Sequence, residues 1–94
     1  MAERIVLLDN ASATGAAKQW PGGAGVFAVT GGFGGATVKL QQLGPDGATW
    51  LDISGGDVTL TAAGQGGFVL PAGSIRADVS GGAPSGLAAV AVGV

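Results

Sequence analysis

Asp52 and Asp57 bracket the stretch Ile53-Ser-Gly-Gly56, so a turn there would bring two carboxylates together. Such a pair could serve a glycosidase or supply two oxygen ligands to Ca²⁺. The spacing of an EF-hand is missing, however, and turn or cap hydrogen bonds account for Asp beside Gly-Gly. Other chemistries fail for want of residue types. The 94 residues include no Cys and no His, which removes thiol nucleophiles, imidazole bases, disulfides and ordinary zinc or haem sites. None of the five serines lies in a G-x-S-x-G elbow. No enzymatic activity, metal or cofactor is expected.

Glycine-rich loops can cradle phosphate, and 20 of the residues are Gly. No Gly-Lys dipeptide occurs, so there is no P-loop. In Gly31-Gly-Phe-Gly-Gly-Ala-Thr37 a dinucleotide fingerprint would need Gly at 37, where Thr stands. These glycines are expected in turns and at close backbone approaches. Four basic residues, Arg4, Lys18, Lys39 and Arg76, are scattered against six acidic ones. A phosphate-binding footprint, and hence nucleic acid as a partner, is not expected. Trp20 and Trp50 are the remaining candidates for a binding surface, with Trp50 the candidate ligand platform. In Thr49-Trp-Leu-Asp-Ile53 it shares a face with Asp52, opposite Leu51 and Ile53, and an exposed indole can stack on a sugar ring.

The elements that must carry these residues follow from periodicity. Alternation of apolar and polar residues runs through Ala36-Thr-Val-Lys-Leu-Gln-Gln42, Asp57-Val-Thr-Leu-Thr61 and Ser74-Ile-Arg-Ala-Asp-Val-Ser80. A pleated strand turns Val38, Leu40, Ile75, Ala77 and Val79 inward, and makes Arg76 and Asp78 neighbours on a solvated face. Gly44-Pro-Asp-Gly47 carries turn residues in turn order and predicts a β-hairpin between its flanking runs. Strands are expected over 3–9, 17–20, 25–30, 36–43, 48–53, 57–61, 67–70, 74–80 and 87–93. Segment 10–17 is the least determined. Turn signals at intervals of about eight to twelve residues are those of a sandwich or barrel. The expected fold is all-β: residues 1–94 form one antiparallel β-sandwich, jelly-roll-like or Ig-like, of about eight strands. Residues 1–24 would be an arm or an edge segment, and the radius of gyration would be near 12 Å.

Two runs do not alternate. Ile5-Val-Leu-Leu8 and Leu87-Ala-Ala-Val-Ala-Val92 are apolar on both faces. The first is too short for a signal peptide's core, and the second is about a third of the roughly 20 residues a membrane span needs. The chain is therefore expected to be soluble, with no membrane partner. Either both are central strands, or small Ala and Gly residues leave the outer face only mildly apolar, or the outer faces are covered by another subunit or a partner protein. With only five aromatic residues and many glycines a monomer would be marginal. Homo-oligomerisation is expected, with contacts through Ile5, Leu7, Trp20, Leu87, Val90 and Val92.

Three stretches carry a resemblance. Gly32-Phe-Gly-Gly-Ala-Thr-Val-Lys-Leu-Gln-Gln42, Gly44-Pro-Asp-Gly-Ala-Thr-Trp-Leu-Asp52 and Phe68-Val-Leu-Pro-Ala-Gly-Ser-Ile-Arg-Ala-Asp-Val-Ser-Gly-Gly82 resemble small all-β virion structural proteins of tailed bacteriophages. The resemblance covers roughly residues 24–93. It implies a head decoration (cement) protein that binds and stabilises the head lattice as a homo-oligomer, a trimer. Its partner would be the major capsid protein or another virion protein, and its place the capsid surface after assembly in the bacterial host cytoplasm. The other roles are a tail, connector or head-fibre component, or a glycan-binding host-adsorption module using Trp50 and Trp20. Decoration proteins often carry an extended arm, which only residues 1–24 can supply here.

Overall fold

The computed structural model describes residues 4–53 and 58–93. Its strands are β1 (Arg4–Ala11), β2 (Lys18–Trp20), β3 (Gly23–Gly32), β4 (Thr37–Leu43), β5 (Trp50–Asp52), β6 (Thr59–Leu60), β7 (Gly64–Leu70), β8 (Gly73–Ser80) and β9 (Ser85–Gly93). They form two antiparallel sheets. Sheet A has the order β1-β9-β3-β7, and sheet B the order β2-β8-β4-β5, with β6 also on β4. β5 pairs Gln41 to Leu43 and β6 pairs Val38 and Lys39. The two short strands thus lie end to end along one edge of β4, giving eight strand positions.

The pairing is nested: β1 with β9, β2 with β8, β3 with β7, β4 with β5 and β6. The chain is in effect one long hairpin wound so that successive pairs alternate between sheets. Winding a hairpin this way generates a jelly roll, which decides between the two expected sandwich topologies. The radius of gyration is 12.1 Å.

Strand bounds depart from the sequence reading where side chains or pairing intervene. Asp46 Oδ1 accepts the N–H groups of Ala48 (3.0 Å) and Thr49 (2.9 Å). Those amides are taken before β5 begins, so β5 starts at Trp50 rather than at 48. β7 starts at Gly64 rather than 67, because β3 supplies ladder partners for the whole glycine-rich run, from Val29↔Gly64 to Gly23↔Leu70. In Phe33-Gly-Gly-Ala36 the Ala36 N–H donates to the Phe33 carbonyl at 2.9 Å. Gly34 (φ 57°) and Gly35 (φ 87°) hold the left-handed conformations that this tight turn requires. This glycine-rich stretch is therefore a turn between β3 and β4.

The inward residues meet between the sheets. Trp20, Phe27, Val29, Val38, Leu40, Val58, Ile75 and Leu87 are fully buried, among the small residues Ala77, Ala89 and Ala91. Each large apolar side chain so buried contributes about 1.5–3 kcal/mol relative to exposure. Trp20 and Phe68 tilt together with centroids 5.0 Å apart at 55°. Gly25 makes room for both, since a Cβ there would stand 2.7 Å from Trp20 Cη2 and 2.9 Å from Phe68 Cζ.

The doubly apolar run at 5–8 has a local cause. β1 is the edge strand of sheet A, and its register slips between Val6↔Val90 and Leu8↔Ala89. This bulge sets two residues against one and turns both Leu7 and Leu8 into the core. Consecutive leucines are thus buried by the chain itself. β9 lies inside sheet A between β1 and β3, so the central-strand reading holds for it and not for β1.

Candidate functional site

The outer faces of the two sheets have opposite character. Sheet B presents a polar ladder. β4 and β8 set Thr37 opposite Ser80, Lys39 opposite Asp78 and Gln41 opposite Arg76, while β5 sets Asp52 opposite Gln41. Gln41, the buried polar residue of this face, is the relay. Its Nε2 donates to Asp52 Oδ1 at 2.7 Å, and its Oε1 accepts from Arg76 Nε at 2.9 Å. Lys39 Nζ completes the Asp52 carboxylate from the other side at 3.1 Å. Arg76 Nη2 lies 3.8 Å from Asp78, in the neighbour relation read from the alternation.

Asp52 therefore sits below the ordinary carboxylate range, chiefly through the Gln41 hydrogen bond and then that of Lys39. Its oxygens are committed to these partners. Asp57, the other half of the expected pair, lies outside the described residues. No cluster of three or more His, Cys, Asp or Glu forms among the described residues.

Trp50 lies on this face and is half-buried. The Arg76 guanidinium carbon stacks 4.4 Å from its ring centroid, a cation–π contact that occupies one side of the indole. Leu51, on the strand face opposite Trp50 and Asp52, is 48% exposed. It pairs with Gln42 at the end of β4, where the Gln42 side chain donates to the Pro71 carbonyl at 2.8 Å. The segment before β2 seals the ladder's far end. The Thr14 hydroxyl accepts from the Val79 N–H at 2.9 Å, and Gly15 N–H donates to the Ala77 carbonyl at 3.2 Å.

Sheet A presents an apolar face. One cross-strand row runs Arg4, Val92, Val26, Gly67; the next runs Val6, Val90, Ala28, Gln65. Ala88 and Thr30 follow, and Ala24 and Val69 lie at the β7 end. The sole charge in these rows is Arg4, at the edge. Val6 is 47% exposed and Val69 76% exposed, and Val26, Val90 and Val92 are half-buried.

The six expected contact residues divide between core and surface. Leu7, Trp20 and Leu87 are core residues of a single chain, so they are not free to touch a second one. The alternation of β9 turns Leu87 inward, the β1 bulge does the same for Leu7, and Trp20 fills the space over Gly25. Val90 and Val92 lie on the outer face of sheet A. Ile5 is half-buried and packs against the core. The sequence reading missed Val6, Val26 and Val69 on the surface, and the joint between Gln41, Arg76 and Trp50. Alternation within β3 and β7 signals Val26 and Val69; the joint has no local signal.

Comparison with known proteins gives no matching family model, and no curated protein or solved structure matches the chain. Among the described residues no helix is long and apolar enough to cross a membrane.

Proposed function

We propose that the chain is a non-catalytic structural protein of a tailed-phage virion, a decoration protein that binds the head lattice as a homo-oligomer. The observation that carries this reading is the outer face of sheet A. Monomeric proteins seldom leave a contiguous apolar sheet face open to water, and such a face marks a macromolecular interface. The resemblance in residues 24–93 supplies the kind of partner, and the jelly-roll topology is common in capsid proteins. Fold alone does not assign function, since lectins use the same topology. Many weak contacts on a repeating lattice add up through multivalency. The glycan-binding role draws less support, because Arg76 already occupies one face of Trp50.

The test is co-sedimentation of the purified chain with phage shells stripped of accessory proteins. The chain is expected to pellet with the shells, and Val6→Lys or Val90→Lys, each made singly, to leave it folded in the supernatant. A folded wild-type chain that ignores the shells overturns the reading. A tryptophan fluorescence shift on adding glycans, abolished by Trp50→Ala, would replace it with the host-adsorption role.

A further inference from the structure

β7 has a free edge. Among the described residues no strand pairs with the side of β7 that faces away from β3. The other boundaries of the two sheets are blunted: β1 by two register shifts, β2 by its three-residue length and Lys18, and β5 and β6 by lengths of three and two residues. β7 is seven residues long, keeps regular register with β3, and contains neither a charge nor a proline. Long regular edges without such protection are where chains add strands to one another.

The sequence of β7 says what fits there. β7 reads Gly64-Gln-Gly-Gly-Phe-Val-Leu70, and its partner segment in β3 reads Gly23-Ala-Gly-Val-Phe-Ala-Val29. Both follow G-x-G-x-F-x-[VL]. They pair antiparallel about the centre Val26↔Gly67, so the β3–β7 ladder is a quasi-two-fold pairing of one motif with itself. Every bulky inward residue then faces glycine: Phe27 faces Gly66, Phe68 faces Gly25, Val29 faces Gly64 and Leu70 faces Gly23.

We infer that the free edge of β7 binds β7 of a second copy, antiparallel about Gly67, joining two A sheets into one across a two-fold axis. On the inner side Phe68 faces the partner's Gly66, and Leu70 the partner's Gly64, repeating the large-on-small fit of β3. On the outer side Val69 lies opposite the partner's Gln65, and no charge is buried. The pairing is isologous, so both copies use one patch and the contact closes as a dimer. It also extends the apolar outer face of sheet A over two chains.

This contact is independent of shell binding, and the two are read separately: sedimentation with shells tests the proposed function, the mass of the purified chain tests the dimer. Light scattering across a concentration series is expected to give a dimer that dissociates on dilution. Gln65 and Val69 are both exposed, so substitutions there leave the core alone. Gln65→Lys with Val69→Lys places two like-charge pairs across the axis and should weaken the dimer at least about tenfold. Gln65→Lys with Val69→Glu replaces them with two opposite-charge pairs and should restore it. In hydrogen exchange on the wild type, the alternate amides within 64–70 that point away from β3 should lose protection on dilution, while those bonded to β3 and those of β9 keep theirs. A wild-type monomer or trimer at all concentrations overturns the inference. So does a Lys/Glu variant that dissociates as readily as the Lys/Lys one.

Discussion

The two outer faces rest on the same core and solve the same problem differently. On sheet B, Lys39, Gln41, Asp52, Arg76 and Asp78 bond one another, and the one aromatic ring, Trp50, is stacked against a guanidinium. That face is satisfied within the chain. On sheet A the corresponding rows are mostly valine, alanine and glycine, with Arg4, Gln65 and Thr30 at their margins; the apolar side chains have nothing to bond and gain only by being covered. The difference separates a surface that stabilises the monomer from one that serves association. Substitutions on sheet B should therefore appear in stability, and those on sheet A in binding.

The harshest test removes the support common to both. Trp20→Ala empties a fully buried ring site beside Phe68 and should cost about 3–5 kcal/mol, measured by urea unfolding. Trp20→Phe should cost far less than Ala, because it keeps most of the ring while removing an indole N–H that finds no acceptor among the described residues. Equal losses for the two variants would show that the indole N–H is bonded after all. Next in size, Arg76→Ala takes the cation from Trp50 and the donor from Gln41, and should destabilise by about 1–2 kcal/mol without changing association. If it altered binding to shells or the solution mass, sheet B would share the docking role and the contrast would break. Smaller still, Val6→Lys should move stability by no more than about 0.5 kcal/mol yet abolish co-sedimentation.

Much of this contrast was readable from residue types, and the exceptions have physical causes. Alternation in 36–42 and 74–80 places Lys39, Arg76 and Asp78 outward before any pairing is known. The Gly44–Gly47 turn signal marks the β4–β5 hairpin, which forms with Leu43 opposite Trp50. Leu7 and Leu8 mislead because a bulge resets which residues face inward, and a bulge depends on the partner strand. Trp20 looked like a surface anchor because the vacancy it fills is created by Gly25 and Phe68, remote in sequence. The joint of Gln41 with Arg76 spans 35 positions and exists only once β4 pairs with β8. The motif shared by β3 and β7 has no fixed period; its meaning emerges only when the two copies are laid antiparallel.

The smallest expected effect concerns the turn that leads into the polar face. Asp46 is held at about 2, below its ordinary 3.8, by the Thr49 hydroxyl first and then by the N–H groups of Thr49 and Ala48. Thr49 Oγ1 donates to Asp46 Oδ2 at 2.6 Å, and Gly47 N–H closes the turn on the Gly44 carbonyl at 3.0 Å. A carboxylate whose folded-state pKa is depressed contributes stability that is complete above the unfolded value and disappears as pH falls through the folded one. For Asp46 that window runs from about 4 down to about 2, and Asp52, shifted the same way, adds to the loss on the acid side. The melting temperature should therefore fall across this range. Asp46→Asn should flatten part of the fall, while Val6→Lys should leave its shape unchanged, because among the described residues the cross-strand rows beside Val6 hold no carboxylate. A Val6→Lys profile that departs from the wild type in this window would mean that the two faces are coupled through the core, and that the division of labour between them is wrong.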